Sequence, residues 1–341
     1  MDVIPGCRDG TPLRHRTRSQ GTGALLTYIQ LAGGFVYLLM GGDLLVRGAV
    51  ALARRARVSP MVVAFSVVAI GTSLPELVVT LRASLAGYPG LVLGNVVGSN
   101  IANVLLVTGA AGVVYPLASG GGTAQRDAAI MMAMSLGFAL MCFMGDLTRW
   151  SGVLLLSALG VVMGVTLRST LRSYRESVTT PLEWVLGIPS HRRMIALFLV
   201  AGGVGLPVGA SMMVNAAVEI AGRLGVSETV IGLSIVAAGT SLPELATSVV
   251  AAMQRRTEVT LGTIVGSNTF NLLGIMGVGA AVSPASITIS RRLLTLDLPV
   301  MLSAGLVLTL FILARRPLGR RAGVLLLAGY IGYLAVLFMS V

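Results

Sequence analysis

The chain contains one apolar segment twice: residues 62–84 read VVAFSVVAIGTSLPELVVTLRAS, and residues 230–252 read VIGLSIVAAGTSLPELATSVVAA. A second pair follows, in which residues 94–106 read GNVVGSNIANVLL and residues 262–274 read GTIVGSNTFNLLG. Both pairs are separated by the same 168 positions, so the segments align without a gap. Because chance does not produce two long matches at one offset, the sequence predicts an internal duplication.

The composition places this duplicated chain in a lipid bilayer. Of its 341 residues, 55% are hydrophobic and only 11% are charged, whereas a typical soluble chain carries about a quarter charged residues. All 25 basic residues are Arg, and they cluster between apolar runs, so membrane orientation explains the net charge of +12 better than nucleic-acid binding does. The two cysteines, Cys7 and Cys142, are too few for a disulfide framework or a metal cluster.

Apolar stretches of spanning length recur ten times along the chain. A spanning helix needs about 20 mostly apolar residues. The candidates are residues 24–52, 60–86, 91–116, 127–145, 150–168, 194–221, 227–253, 259–283, 293–314 and 320–341. The predicted fold class is therefore an all-α polytopic membrane protein with ten transmembrane helices.

The spans divide into two halves that follow a polar tail. We predict a disordered tail at 1–21, a first five-helix repeat at 22–168, a cytoplasmic linker at 169–193 and a second five-helix repeat at 194–341. Because five is odd, the second half enters the membrane from the opposite face. Inverted repeats are typical of secondary transporters with a binding site near the midplane. The alternative, that the repeated Gly and Ser residues serve only helix packing, does not account for Glu76 and Glu244.

The distribution of Arg predicts the orientation in the membrane. The loops between spans 1–2, 3–4, 5–6, 7–8 and 9–10 carry 15 Arg, and the opposite side carries 8, four of them in the tail. Arginine-rich loops stay in the cytoplasm. We therefore expect a multi-pass protein of the cell inner (plasma) membrane with both termini outside, although the Arg residues of the tail favour the reverse.

The GTSLPE motifs at 71–76 and 239–244 place one carboxylate in the middle of each repeat. Such a group costs a few kcal/mol in a membrane and needs compensation. Proline lacks an N–H and clashes with a carbonyl one turn earlier, so the helix is expected to break and to free carbonyl oxygens. Carboxylates, carbonyls and hydroxyls are the ligands that Ca²⁺ and Na⁺ require. A purely structural proline kink is the alternative. The oxygen ligands are expected from Ala69, Thr72, Ser73, Ala237, Thr240 and Ser241.

The GSNxxN motifs at 98–103 and 266–271 provide further polar side chains next to the glutamates. Ser99 and Asn103 are four residues apart and share a helix face, as do Ser267 and Asn271. We expect these four to line the site. For Asn100 and Asn268, interhelical hydrogen bonding is the preferred interpretation.

A further pair of charges, Asp43 and Arg47, lies one turn apart near the end of the first span. Their counterparts in the second half are Ser211 and Asn215. An ion ligand should recur in both halves, so we expect an ion pair here instead of a transport site.

The doubled motifs resemble the cation/Ca²⁺ exchanger superfamily, specifically its prokaryotic Na⁺/Ca²⁺ exchanger (sodium/calcium antiporter) family. GTSLPE and GSNxxN each occur twice, as the two α-repeats of that family, and the resemblance covers essentially everything after the tail. It implies alternating-access antiport in which spans 1 and 6 slide past a rigid core of eight. It also implies that Ca²⁺ binds Glu76, Glu244 and the carbonyls of Thr72 and Thr240. For Na⁺ the resemblance implies two flanking sites that share the carboxylates of Glu76 and Glu244, with Asn103 and Asn271 around the middle. One site is built from Ala69, Thr72, Ser73 and Ser267, and the other from Ala237, Thr240, Ser241 and Ser99.

One position departs from part of the family. Some members, including K⁺-dependent ones, have Asp where Asn271 stands, so this site holds two carboxylates instead of three. The departure argues against K⁺ co-transport and leaves the ion stoichiometry open.

The expected function is Na⁺-driven Ca²⁺ export. An exchanger of H⁺ or another cation for Ca²⁺ is the nearest alternative, and a passive cation channel is a third. An enzyme is not expected, because the sequence contains no nucleophile and base pair, no set of metal-ligating His or Cys, and no phosphate loop. The expected partners are Ca²⁺, Na⁺ and the lipid bilayer, with no cofactor, no nucleic acid and no obligatory protein partner.

Overall fold

The computed structural model describes residues 16–118, 121–173, 188–224 and 237–339. Within these residues the chain is helical, apart from two isolated backbone bridges. The helices are α1 (Arg16–Ala56), α2 (Pro60–Thr72), α3 (Leu74–Leu85), α4 (Pro89–Val114), α5 (Gly122–Met144), α6 (Arg149–Ser173), α7 (Arg192–Arg223), α8 (Ala237–Thr240), α9 (Leu242–Met253), α10 (Thr257–Val282), α11 (Leu293–Leu313) and α12 (Arg320–Met339).

Among the described residues, eight helices are long and apolar enough to cross a membrane. The number becomes nine if α2 and α3, bent by 48° relative to each other, form one broken span. The predicted span 227–253 lies partly outside the described residues, and α8 and α9 are its described part. The all-helical polytopic class is confirmed, whereas the ten-span inverted repeat stays a prediction.

Two boundaries differ from those predicted. Helix α1 begins at Arg16, inside the predicted tail, and α6 continues to Ser173, inside the predicted linker. Long arginine side chains can reach the membrane surface from a helix end, so a helix need not stop where its apolar run stops. Residues 1–15 of the tail and 174–187 of the linker lie outside the described part of the chain.

The surface of the protein is apolar and its centre is polar. Trp150, Leu325 and Met339 are among the large apolar side chains that face outward. The carboxylates of Glu76 and Glu244, by contrast, are only 1% exposed. This distribution is the opposite of that in a soluble protein and fits a surface solvated by lipid.

Contacts between loops identify the two ends of the helix bundle. At one end Leu117 and Leu318 exchange backbone hydrogen bonds of 3.0 and 2.9 Å, and the guanidinium of Arg255 lies 5.7 Å from the centroid of the Tyr115 ring. We call this the arginine-rich end, since it joins the loops after α4, α9 and α11. At the other end Leu147 and Ile287 pair in the same way, at 3.0 and 2.8 Å. These contacts agree with the alternation of loops that the span assignment predicts.

Helices α1 and α7 form a closely packed pair, the α1–α7 pair, because glycines bring their backbones together. A Cβ on Gly34 would lie 2.8 Å from the Gly209 carbonyl oxygen, and one on Gly202 would lie 2.7 Å from the Gly41 carbonyl oxygen. Small residues permit this approach in membrane helices. These helices correspond to spans 1 and 6, the pair expected to move.

Candidate cation site

Each GTSLPE motif breaks its helix at the serine. Ser73 has φ −86° and ψ 11°, and Ser241 has φ −86° and ψ 4°, so equivalent positions adopt the same conformation. The proline of each motif then occupies an early helical position, where its missing N–H costs little. Glu76 and Glu244 follow in the first turns of α3 and α9, where the helix dipole favours negative charge. Each carboxylate also lies against its own backbone N–H.

The carbonyl of Ala69 is not released by this break. It accepts a hydrogen bond from the Ser73 N–H at 3.1 Å and a second from the Thr72 hydroxyl at 3.3 Å. The expectation that the kink frees this oxygen is wrong for the state that the structure describes. The reason is geometric: the amide missing at Pro75 would have bonded Gly71, four residues earlier, and not Ala69.

The carboxylate of Glu244 is surrounded by hydroxyl groups. Ser73 Oγ donates to Glu244 Oε1 at 2.7 Å. The hydroxyls of Thr72 and Ser267 also approach this carboxylate. Two of these three residues come from the first half of the chain, so the first GTSLPE motif supplies partners for the glutamate of the second.

The surroundings of Glu76 show the reciprocal arrangement. The hydroxyls of Thr240 and Ser241, both from the second motif, approach the Glu76 carboxylate. The carboxylates of Glu76 and Glu244 are close enough to repel each other. The two broken helices thus meet at their breaks, and the site lies between the halves of the chain.

Several buried polar atoms of this cluster have no hydrogen-bond partner within the described residues. A buried polar atom without a partner is costly, and each one calls for an explanation. Oxygen atoms of carboxylates, hydroxyls and amides form the ligand set of hard cations such as Ca²⁺ and Na⁺. The unpartnered atoms are Glu76 Oε2, Glu244 Oε2, Ser241 Oγ, Ser267 Oγ, and Oδ1 and Nδ2 of both Asn103 and Asn271.

The last Asn of each GSNxxN motif begins a π-helical segment. The segments are Asn103–Val107 and Asn271–Ile275, again separated by 168 positions. The first packs against α9, which carries Glu244, and the second packs against α3, which carries Glu76. Such segments recur at functional sites because the extra residue redirects nearby side chains. The sequence pattern gave no sign of them.

The other polar residues of the GSNxxN motifs differ in their contacts. Ser99 is 4% exposed, and its role as a lining residue stays a prediction. Asn268 Nδ2 points to Met131 Sδ of α5 at 3.7 Å, which is the interhelical contact expected. Asn100 Nδ2 instead donates to the Val96 carbonyl of its own helix at 2.7 Å, so the interhelical interpretation is wrong for this side chain.

Sequence reasoning missed Asn95 as a supporting residue. Its Nδ2 donates to the Glu76 carbonyl at 3.0 Å and to Thr80 Oγ1 at 2.9 Å, which holds α3 against α4 behind the site. The counterpart of Asn95 in the second half is Thr263. Because the residue type does not recur, the repeat did not reveal it. An isolated mid-helix Asn in an apolar run is the signal that could have done so.

Most of the predicted ligands are buried. Thr240 is partly exposed, and Ala237 is described only by its backbone in α8. Among the described residues, no group of three His, Cys, Asp or Glu side chains could hold a metal. Within the described part of the chain, the carboxylates of this cluster are those of Glu76 and Glu244. The predicted residues that are buried are Ala69, Thr72, Ser73, Glu76, Ser99, Asn103, Ser241, Glu244, Ser267 and Asn271.

Known proteins are similar to this chain over most of its length. The family model described as "Sodium/calcium exchanger protein" matches residues 26–168 and 194–339. The putative antiporter CaxA of Alkalimonas amylolytica is 34% identical over 93% of this chain and 100% of its own length. The inner membrane protein YrbG of Escherichia coli is 33% identical over 92% of this chain and 97% of its own.

The structure of the sodium-calcium exchanger NCX_Mj soaked with Na⁺ and Sr²⁺ superposes with a TM-score of 0.78. It is 31% identical and covers 92% of this chain and 98% of its own. The similarity is therefore global and includes both halves. From the family match and these relatives, the chain belongs to the sodium/calcium exchanger protein family and is a multi-pass membrane antiporter of Ca²⁺ and another cation.

Proposed function

We propose that the protein exchanges Na⁺ for Ca²⁺ by alternating access and that it exports Ca²⁺. The observation that carries the proposal is the reciprocal pair Glu76 and Glu244, each buried and each approached by hydroxyls from the opposite half. Two carboxylates neutralise one Ca²⁺ or two Na⁺. The same cluster can therefore hold either one Ca²⁺ or two Na⁺, but it cannot neutralise both at once. This competition between the two ions for one site is the requirement for exchange.

In this proposal Ca²⁺ lies between the two glutamates. The carbonyls of Thr72 and Thr240 complete its ligand set. Since both threonines immediately precede the breaks at Ser73 and Ser241, their carbonyls lie where each helix is interrupted. A divalent ion at this position would offset the repulsion between Glu76 and Glu244.

Sodium occupies flanking sites that share the two carboxylates. Asn103 and Asn271 contribute neutral amides around the middle, which suits a monovalent ion because they add no charge. The Ala69 carbonyl must lose its hydrogen bond with the Ser73 N–H before it can bind Na⁺. One set consists of Ala69, Thr72, Ser73 and Ser267, and the other of Ala237, Thr240, Ser241 and Ser99.

Exchange of H⁺ for Ca²⁺ is the second candidate function. The buried carboxylate pair favours it, because two close acidic groups can take up protons when Ca²⁺ leaves. The hydroxyl groups around the glutamates favour Na⁺ instead, since proton exchange needs no additional oxygen ligands. A passive channel is disfavoured by the burial of the site.

We also propose that the arginine-rich end faces the cytoplasm, with both termini outside the cell inner membrane. The positive-inside rule supports this orientation. Ca²⁺ export then carries the ion from the arginine-rich end to the opposite end, driven by inward Na⁺ movement.

Ion flux into proteoliposomes tests the proposal. Vesicles loaded with Na⁺ and diluted into Na⁺-free buffer with Ca²⁺ are expected to take up Ca²⁺. Vesicles with K⁺ or H⁺ gradients of the same size are expected to take up little. Uptake driven by an H⁺ gradient alone would favour the second candidate, and uptake without any counter-ion gradient would indicate a channel.

A further inference from the structure

One polar contact attaches α1 to the loop after α9, at the arginine-rich end. Gln254 Nε2 donates to Asp43 Oδ1 at 2.6 Å. Arg47, one turn later on α1, pairs with the Asp43 carboxylate at 2.8 Å, which confirms the ion pair expected from the sequence. An ionised acceptor makes a hydrogen bond about twice as strong as one between neutral groups. The contact therefore joins the α1–α7 pair to the loop after α9 through a directional, charge-assisted hydrogen bond.

The neighbouring interface between α1 and α9 is apolar and closely packed. A Cβ on Gly42 would lie 3.3 Å from both the Ala246 carbonyl oxygen and Val250 Cγ2. Val46 and Ala49, on the following turns of α1, are fully buried. Apolar contacts are non-directional and survive a shift in register, whereas a hydrogen bond is lost when its distance or angle changes. Sliding of α1 would thus break the Asp43–Gln254 bond first.

Two like charges lie near each other at the same end. Burial and the neighbouring Arg54 guanidinium lower the pKa of Arg256, which shows that the two cations repel each other. Arg54 lies near the end of α1 and Arg256 precedes α10. Glu258 offsets part of this repulsion. The Asp43–Gln254 bond adds an attraction between α1 and the loop after α9 at the same end.

The repeat-related positions among the described residues lack an equivalent contact between the halves. The counterparts of Asp43, Arg47 and Gln254 are Ser211, Asn215 and Ala86. An alanine methyl neither donates nor accepts a hydrogen bond. If the two access states of an inverted repeat arise by exchange of conformations between the halves, a bond that forms at only one of two repeat-related positions makes the two states unequal in energy.

We propose that the Asp43–Gln254 hydrogen bond is a latch that stabilises the state closed at the arginine-rich end. Arg47 holds the Asp43 carboxylate in place for Gln254. The proposal rests on alternating access, which is part of the proposed function. Gln254 is then a positioning residue: it touches no transported ion and sets the balance between the two access states.

Thiol labelling of a cysteine behind the latch tests the proposal without any ion gradient. Val50 is 2% exposed and lines a cavity of about 160 Å³ together with Arg47, Ile188, Gln254 and Arg256. The experiment uses Val50→Cys in the full chain with Cys7 and Cys142 replaced by Ala. A charged maleimide should react about three- to tenfold faster when Gln254→Leu or Gln254→Glu is added, as expected for loss of one exposed charged hydrogen bond.

Two controls separate the latch from a general loosening of the fold. Gln125 Nε2 donates to the Leu313 carbonyl at 2.9 Å and joins α5 to α11 away from α1, so Gln125→Leu should leave the labelling rate unchanged. The double variant Asp43→Gln with Gln254→Glu restores an amide–carboxylate pair and should return the rate toward that of the parent. Equal rates in the parent and in both Gln254 variants would overturn the latch.

Ca²⁺ dependence at the two faces gives a second readout. Gln254→Leu should lower the half-saturating Ca²⁺ concentration at the arginine-rich face and raise it at the opposite face, with exchange retained. An unchanged ratio between the two faces would contradict the latch. If the proposed function is wrong, the parent protein will show no Na⁺-driven Ca²⁺ uptake. The labelling rates will still decide whether the Asp43–Gln254 contact controls closure.

Discussion

At the residue scale, charge balance decides the behaviour of the site. Glu76 and Glu244 are buried, repel each other and each retain one oxygen without a hydrogen-bond partner within the described residues. Removing one carboxylate would leave a bound Ca²⁺ with only one of its two counter-charges, and loss of one buried charge partner costs about 3–5 kcal/mol. We therefore expect Glu76→Gln and Glu244→Gln each to reduce Ca²⁺ exchange by about 100-fold or more. Ca²⁺ uptake into vesicles under a fixed Na⁺ gradient measures this effect.

The glutamine variants need a matched control and a check of folding. Glu258 lies in the first turn of α10 close to Arg256, outside the cluster, and Glu258→Gln should retain exchange. Glutamine is nearly isosteric with glutamate and removes a buried charge, so thermal stability of the site variants should be retained or increased. Normal exchange in either site variant would show that its carboxylate does not bind the transported ion.

Asn271→Asp tests whether this side chain faces the ions. The substitution preserves shape and adds a third acid next to the pair formed by Glu76 and Glu244. Three close carboxylates cannot all stay charged without additional cations, so the variant should take up a proton or a monovalent ion with the site. We expect a new K⁺ dependence, or a steeper pH dependence between about pH 5 and 8. Identical K⁺ and pH profiles in variant and parent vesicles would place Asn271 away from the ions.

Most site residues were predictable because the repeat marked them. The two motifs identified the glutamates and the hydroxyls, because they recur at one offset. The repeat could not show that Ser73 bonds Glu244 and that Thr240 and Ser241 approach Glu76, since this reciprocity depends on how the halves face each other. Asn95, which donates to the Glu76 carbonyl, was missed because its counterpart is Thr263 and the repeat did not mark it.

At the element scale, glycine contacts within the α1–α7 pair predict a difference between two adjacent residues. A Cβ on Gly202 would lie 2.7 Å from the Gly41 carbonyl oxygen and 2.8 Å from Leu45 Cβ, whereas one on Gly203 would meet no atom within 4 Å. Gly202→Ala should therefore lower the free energy of unfolding by about 1–3 kcal/mol. Gly203→Ala should leave it unchanged or raise it by up to about 1 kcal/mol, because alanine favours helix. Thermal unfolding in one detergent measures both, and equal effects would contradict the close packing of this pair.

The elements themselves were predictable because a membrane span must be long and apolar. The structure differs from the prediction where the outcome depends on local geometry and not on the length and composition of a span. Helix α1 starts at Arg16 in spite of its charged first turn, and the π segments at Asn103 and Asn271 interrupt runs that read as uniform helix. A π segment adds one residue to a turn without changing composition, so no pattern of hydropathy reveals it.

At the scale of the whole molecule, the apolar surface and polar centre follow from solvation by lipid. Orientation does not follow from the fold, because the helices pack equally well whichever way the bundle is inserted. It depends on charges in the loops, where the Arg residues of the tail and of the arginine-rich end oppose each other.

The inverted repeat makes a prediction that is independent of the absolute orientation. If the halves enter from opposite faces, the connection after α3 and the connection after α9 must lie on opposite sides of the membrane. Within the described residues, the latter is at the arginine-rich end, where Arg255 stacks on Tyr115. Single cysteines at Gly87 and at Gln254, in a background without Cys7 and Cys142, should therefore react with an impermeant maleimide from opposite faces of sealed vesicles. Labelling of both from the same face would refute the inverted repeat and, with it, a site built from two equivalent broken helices.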